Sequence, residues 1–195
     1  RWVPIFDGTS LDGWNATGGG NWEIKNGVLL GTSKKDESKH GLLLSEKSYG
    51  DFTAKITYRI GAGNSGFYFH SEPNKSGVGI SGIQAELENS TLMGGLYETG
   101  GRGWMVKPLH YFPKFSEDRQ AIRKKQWKNA WDSDDWMTMV VSAHGDRIVT
   151  HVNGILASDI VDPKGRKSGK FAVQLHGGQD MKVEVKSIEL LVKEK

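Results

Sequence analysis

At 195 residues, 36% of them hydrophobic and none of them cysteine, the chain can bury a substantial core, but it cannot build a disulfide framework, a thiolate zinc site or a thiol nucleophile. Its net charge is only +3 and its basic residues are scattered apart from Arg123-Lys124-Lys125, which argues against a nucleic-acid partner. No apolar run approaches the roughly 18 residues of a membrane span, and no phosphate-binding loop, dinucleotide fingerprint or serine nucleophile elbow is present.

Near the start, Phe6-Asp7-Gly8-Thr9-Ser10-Leu11-Asp12-Gly13-Trp14 carries turn chemistry at both Asp-Gly pairs, so a surface ribbon pinned by Phe6 and Trp14 is expected. Trp22 to Lys25 and Val28 to Leu30 flank Asn26-Gly27, a dipeptide that tolerates positive φ and suits a type I′ hairpin turn. The charged stretch from Thr32 to His40 reads as loop, and Leu42 to Ser45 as a short strand. Phe52, Ala54, Ile56, Tyr58 and Ile60 then alternate with polar residues, the mark of a strand buried on one side. After the turn at Gly61 to Gly66, a strand puts Phe67 and Phe69 on one face and Tyr68 and His70 on the other.

The next strand, Gly82 to Asn89, alternates strictly, with Ile83, Ala85 and Leu87 toward a core and Gln84, Glu86 and Glu88 away from it. At about 3.3 Å per residue the neighbouring carboxylates start roughly 6.6 Å apart, close enough to disturb each other's pKa and to share a substrate. A polar sheet face turned to water is the competing reading. Thr99 to Asp135 follows as a long inserted loop, with a short helix expected from Ser116 to Trp127, capped by Ser116. This region is expected to lie over or beside the polar face. Strands at Met137 to Ser142, Arg147 to Val152 and Ile155 to Ile160 come next, the last two joined by Asn153-Gly154. Lys170 to His176 adds another strand, with Gln174 and His176 on one face. In the final segment the apolar phase slips between Val185 and Ile188, which calls for a bulge near Lys186-Ser187. Many short strands with turn signals between them imply an all-β fold, an antiparallel two-sheet sandwich or jelly roll, in one domain over 1–195.

Three strands thus offer Tyr68 and His70, then Gln84, Glu86 and Glu88, then Gln174 and His176. On one concave sheet these would assemble an acid, a base and hydrogen-bond donors. Either histidine alone is an ordinary polar or core residue more often than a catalyst, so the argument depends on their co-location. Exposed aromatics stack on sugar rings, and Trp104, Tyr111, Trp127 and Trp131 are the candidates, with packing of the loop onto the sandwich as the alternative. Asp132, Asp134 and Asp135 lack the spacing and glycine of a calcium loop and read as a solvated acidic turn.

The segments Phe6-Asp7-Gly8-x-Ser10-Leu11-Asp12-Gly13-Trp14, Trp22-x-Ile24-x-Asn26-Gly27-Val28-Leu29, Tyr49-Gly50-Asp51-Phe52, Asn64-Ser65-Gly66 and Gln174-Leu175-His176-Gly177 together resemble the 3-keto-disaccharide hydrolase domain family, built on the concanavalin A-like lectin/glucanase jelly roll. The chain departs from that family at two places, carrying Gln84-Ala85-Glu86 where Glu-x-Gln is common and His70 where an arginine is common. The resemblance implies a hydrolase of 3-keto-glycosides working by proton abstraction from C2, elimination and water addition. Glu86 would be the base, and His176 the acid or the group that polarises the enolate. Tyr68, His70, Gln84, Glu88, Trp104 and Gln174 would hold the substrate. A divalent metal on Glu86, Glu88 and a histidine, such as Mn²⁺, Zn²⁺ or Ca²⁺, could take the place of the donor at the enolate. A carbohydrate-binding module without chemistry is the alternative on the same fold. A conventional glucanase, the third reading, calls for a fuller triple-acid strand than Gln84-x-Glu86-x-Glu88. The chain starts at Arg1 rather than Met, so an export signal is expected to have been removed, with a bacterial periplasmic or secreted location.

Overall fold

The computed structural model describes residues 1–108 and 116–194. In chain order its elements are β1 (Trp2–Phe6), β2 (Trp14–Gly18), β3 (Asn21–Lys25), β4 (Val28–Ser33), β5 (Gly41–Tyr49), β6 (Phe52–Ala62), β7 (Ser65–Pro73), β8 (Ile80–Leu87), β9 (Leu96–Thr99), β10 (Gly103–Val106), α1 (Glu117–Trp131), β11 (Met137–His144), β12 (Arg147–Val152), β13 (Ile155–Val161), β14 (Gly169–Leu175) and β15 (Met181–Leu191). Every pairing is antiparallel. One sheet runs β13-β12-β11-β6-β15-β4-β3 with β1 added against the second half of β15, and the other runs β10-β9-β8-β7-β14-β5-β2. This is the two-sheet sandwich that the alternation of apolar residues implies.

The sheets meet through the faces that the period-2 pattern selects. Phe52, Ile56, Phe67, Phe69, Ile83, Leu87, Phe171 and Val173 are all buried in one core cluster. Phe52 from the first sheet meets Phe69 and Phe171 of the second edge to face, with ring centroids 5.6 and 4.8 Å apart, a geometry that adds to the area buried. On the outer side of β6, Lys55 and Arg59 pair with Glu189 and Glu184 at 3.1 and 2.6 Å, contacts that solvent keeps weak. Phe6 and Trp14 are buried as expected, and the Trp14 indole N–H donates to the Ile5 carbonyl. Asn26-Gly27 and Asn153-Gly154 both show positive φ at each residue, and β15 changes register between Val185 and Ser187, where the phase slip called for a bulge.

The region from Thr99 to Asp135, expected over or beside the polar face, divides in its described residues between the two sheets. It extends the second sheet with β10, and its helix α1 is longer than expected and packs beside β13 of the other sheet. Trp127 enters the core, with its indole N–H on the Thr91 carbonyl, and the Asn153 amide donates to the Ala130 carbonyl. The helix is held this way because it has little apolar face of its own beyond Trp127 and Ala130. Among the described residues no helix is long and apolar enough to cross a membrane.

Candidate functional site

The outer face of the seven-stranded sheet carries a cavity of about 370 Å³. Its floor comes from β7, β8 and β14, which lie side by side, so Tyr68, Gln84, Glu86 and Gln174 converge from three strands, and His176, just past the end of β14, joins them. Trp104 of β10 stands at the edge, half exposed, with Tyr97 edge-on at 5.4 Å and the Lys107 ammonium 5.3 Å from its ring centroid. These six of the expected site residues are brought together.

Glu86 is only 4% exposed yet faces this cavity. Burial is the main reason its carboxyl is pushed up to about 7; hydrogen bonds from Asn64 and Gln84 act against this, and the charge of Glu88 adds to it. The Gln84 amide donates to Glu86 Oε2 at 2.6 Å, which leaves Gln84 Oε1 buried and without a partner. Gln84 can occupy this place because Gly66, opposite Glu86 in the β7–β8 register, has no side chain: a Cβ there would lie 2.1 Å from Gln84 Cδ. Ser65 of the same Asn-Ser-Gly segment ties β7 to β14 through the Gln174 carbonyl at 2.6 Å.

Tyr68 shares a hydrogen bond of 2.8 Å with Thr99 Oγ1 and accepts one from the Gln174 amide at 3.3 Å. Burial first, then the nearby Glu86 charge, push its phenol up to about 12, so it stays protonated and serves as a hydrogen-bonding group.

Two imidazoles close the far side. His176 donates from Nδ1 to the Gly177 carbonyl at 2.7 Å, and the Gly177 N–H donates to His40 Nδ1 at 3.1 Å. An accepting Nδ1 means that His40 carries its proton on Nε2. The rings meet edge to face with centroids 4.5 Å apart, and burial, with His176 alongside, holds the His40 pKa below its ordinary value. Gly177 permits this seam, since a Cβ there would come within 2.4 Å of the Ser38 carbonyl.

Two expected site residues lie elsewhere. His70 was expected to share the face of Tyr68, but β7 changes register between Phe69 and Glu72 and His70 takes φ +46°. Its ring is turned against Phe52 and Phe69, with Nε2 bonded to the Gly50 carbonyl at 2.9 Å, and it does not line the cavity. Glu88 lies one residue beyond the end of β8 and is held by Asn64 Nδ2 and Ser90 Oγ, each at 2.6 Å; it does not line the cavity either. Consequently Glu86, Glu88 and a histidine do not form a metal cradle, and among the described residues no group of three histidines or acids is arranged to hold a cation. Of the other aromatics considered, Trp127 and Trp131 pack against the core, and Tyr111 lies outside the described residues. Asp132 pairs with Lys128, one turn back on the helix.

The cavity also contains residues not anticipated: His40, Asn64, Tyr97 and Thr99. Tyr97 and Thr99 follow from the period of β9 once its pairing with β8 is known, because Tyr97 sits opposite Gln84. Asn64 was visible in the Asn-Ser-Gly segment. His40 had no local signal, since it reaches the site through a loop that closes on residues distant in sequence.

Fold and site together define a β-sandwich protein with a polar, aromatic-edged cavity on the outer face of one sheet and, among the described residues, one buried carboxylate, Glu86, on its floor. Residues 1–191 match the family model described as the 3-keto-alpha-glucoside-1,2-lyase-like domain, and the chain belongs to that family. Among curated proteins, none matches the chain in sequence. Solved structures share the fold at low identity. The carbohydrate binding module CBM66 from Bacillus subtilis aligns with a TM-score of 0.63 and 18% identity over 90% of this chain and 93% of that one. A putative glycosyl hydrolase from Parabacteroides distasonis aligns with a TM-score of 0.64 and 15% identity over 99% and 100%. The kappa-carrageenase from Pseudoalteromonas carrageenovora, solved with an oligotetrasaccharide of kappa-carrageenan, aligns with a TM-score of 0.62 and 14% identity over 100% and 96%.

Proposed function

We propose that the chain cleaves 3-keto-glycosides by elimination across C1 and C2 followed by addition of water. One observation carries the reading: among the described residues that line the cavity, Glu86 is the only carboxylate. Ordinary glycosidases need two, about 5–9.5 Å apart, to act as acid and as base or nucleophile. A ketone at C3 removes that need, because it acidifies the C2 proton and one base suffices to start the reaction. The description of the family as 1,2-lyase-like is in keeping with this chemistry.

Glu86, as the carboxylate, takes the C2 proton, and the C–H electron pair moves into the C3 ketone to give an enolate. The enolate collapses, restoring the ketone, forming the C1=C2 bond and expelling the glycosidic oxygen with its electron pair; that oxygen takes up a proton. Water then adds its oxygen to C1 and gives up its spare proton to replace the one taken by the departing oxygen, while Glu86 returns its proton to C2. A base with a pKa of about 7 is matched to work near neutral pH. His176 stands in the same cavity with its Nδ1–H donated to a carbonyl, so Nε2 is the ring atom left to face the departing oxygen, and it passes a proton there only when the ring carries a second one. Tyr68, Gln84 and Gln174 hold hydroxyls, and Trp104 offers a face for a sugar ring. The cavity and the family membership both support a carbohydrate ligand. One structure that shares the fold is described as a carbohydrate binding module, and the location proposed here is the periplasm or outside the cell.

The test is incubation with a 3-keto-α-glucoside and its unoxidised parent, with released sugar measured. Release from the keto compound alone is expected, and Glu86→Gln should slow it about 10²–10⁴-fold, as loss of a general base does. Binding of both compounds without release from either would make the chain a sugar-binding module instead.

A further inference from the structure

Glu88 does not line the cavity, but it grips a residue that does. Continuing the Ser65–Leu87 pairing by one residue brings Asn64, just before β7, opposite Glu88, just after β8. Asn64 Nδ2 donates to Glu88 Oε2 at 2.6 Å, and the same amide hydrogen-bonds the Glu86 carboxyl. Asn64 is itself a lining residue, and its main-chain N–H is tied to Gln179 Oε1 at 3.0 Å. One side-chain amide thus stands between two carboxyl groups.

Such an amide has two ends of opposite character: its nitrogen donates and its oxygen accepts, whereas an ionised carboxylate only accepts. With Glu88 alongside, the amide nitrogen must point toward the carboxyl groups, because the turned-over amide would set its oxygen against Glu88 Oε2. Glu88 can impose this choice because it is held in turn. Its other oxygen accepts from Ser90 Oγ at 2.6 Å, and Ser90 Oγ accepts from the Leu92 N–H at 3.1 Å.

We infer that Glu88 is a positioning residue for the proposed base: it fixes the Asn64 amide with its nitrogen toward Glu86, so that the ionised Glu86 has a standing donor and a set orientation in the cavity. This rests on the reading of Glu86 as the base. Glu88 then acts on Glu86 in two ways of opposite sign. Its charge disfavours ionisation of Glu86, and the donor that it orients favours it. Among the described residues the other titratable groups around the cavity are Tyr68 of β7, Tyr97 of β9, His40 of the loop before β5 and His176 after β14, all unaltered in the experiment below.

The opposed signs make the test. The Glu86 carboxyl is titrated by NMR in protein carrying carbon-13 at the glutamate side-chain carboxyls, its signal assigned by its absence from Glu86→Gln. Glu88→Gln removes the charge but keeps an oxygen for Asn64, so the Glu86 midpoint should fall. Glu88→Met keeps the volume but offers no acceptor, so the midpoint should rise above that of the unaltered chain by about 0.5 pH unit or more. Asn64→Leu should raise it as well, and in that background Glu88→Met should bring no further rise. Should Glu88→Met fail to fold, Asn64→Leu carries the test alone. A midpoint in either single variant at or below that of the unaltered chain, or a full further rise in the double variant, would overturn the inference. Failure of the base reading looks different: the midpoints move as stated, while kcat/KM on a 3-keto-glycoside does not move with them.

Discussion

Glu86 must be costly to keep, and the cost can be measured without any substrate. Its carboxyl shifts from 4.5 to about 7 on folding, chiefly through burial. A raised carboxyl pKa means that the folded protein holds the proton more tightly than the unfolded chain. The associated stability is present below pH 4.5 and is lost as pH rises through about 7. At 1.36 kcal/mol per pH unit, the loss is about 3 kcal/mol by pH 8. Glu86→Gln removes the titration but keeps an oxygen for the Gln84 amide to bond. Urea unfolding of both proteins between pH 4.5 and 8 should show the difference in stability growing by about 3 kcal/mol in favour of the glutamine protein. In thermal scans this corresponds to roughly 6–12 °C for a domain of this size. A difference that stays constant across the range would mean that Glu86 is not desolvated in the folded state, and the proposed base would lose its physical footing.

The same ionisation should govern catalysis in the opposite sense: kcat/KM on a 3-keto-glycoside is expected to rise tenfold per pH unit below about 7 and to level off above it, and a profile already flat from pH 5 would contradict a base with this pKa. Gly66→Ala should push Gln84 off Glu86, because its Cβ would lie 2.1 Å from Gln84 Cδ. Since the Gln84 bond lowers the Glu86 pKa, the midpoint of that pH profile should move upward, with a loss of about 1–3 kcal/mol in stability from overpacking; an unmoved midpoint would show that Gln84 has no hold on Glu86.

What could be read in the sequence was whatever a strict period of two encodes. β6 and β8 alternate so regularly that their core faces follow directly, and the convergence of Gln84, Glu86, Tyr68 and Gln174 needed only β8, β7 and β14 to be neighbours. The phase slip at the end of the chain even marked its own bulge. The irregularity in β7 was silent, because a bulge there exchanges polar residues, His70 and Ser71, and leaves no break in the apolar pattern; His70 was misplaced for that reason. Glu88 was misplaced because alternation continued on paper one residue beyond the strand, where Asn64 and Ser90 claim the side chain. His40 could not have been found at all by period or spacing, since its place is fixed by an N–H donated from 137 residues away.

The carboxylate proposed to do the chemistry sits on an interior strand. β8 is flanked by β7 and β9, the Glu86 N–H donates to the Gly95 carbonyl at 2.9 Å, and the Glu86 carbonyl accepts from the Gly94 N–H at 2.8 Å. Sites carried on loops can fray while the rest of a protein stays folded, and many enzymes lose activity well below their melting temperature for that reason. Here the reactive group is carried on a strand paired on both sides, so heat is expected to have no shallow route to disabling it. Function and fold should therefore disappear in a single step, and exchange of the Glu86 amide proton with solvent should require opening of the whole sandwich.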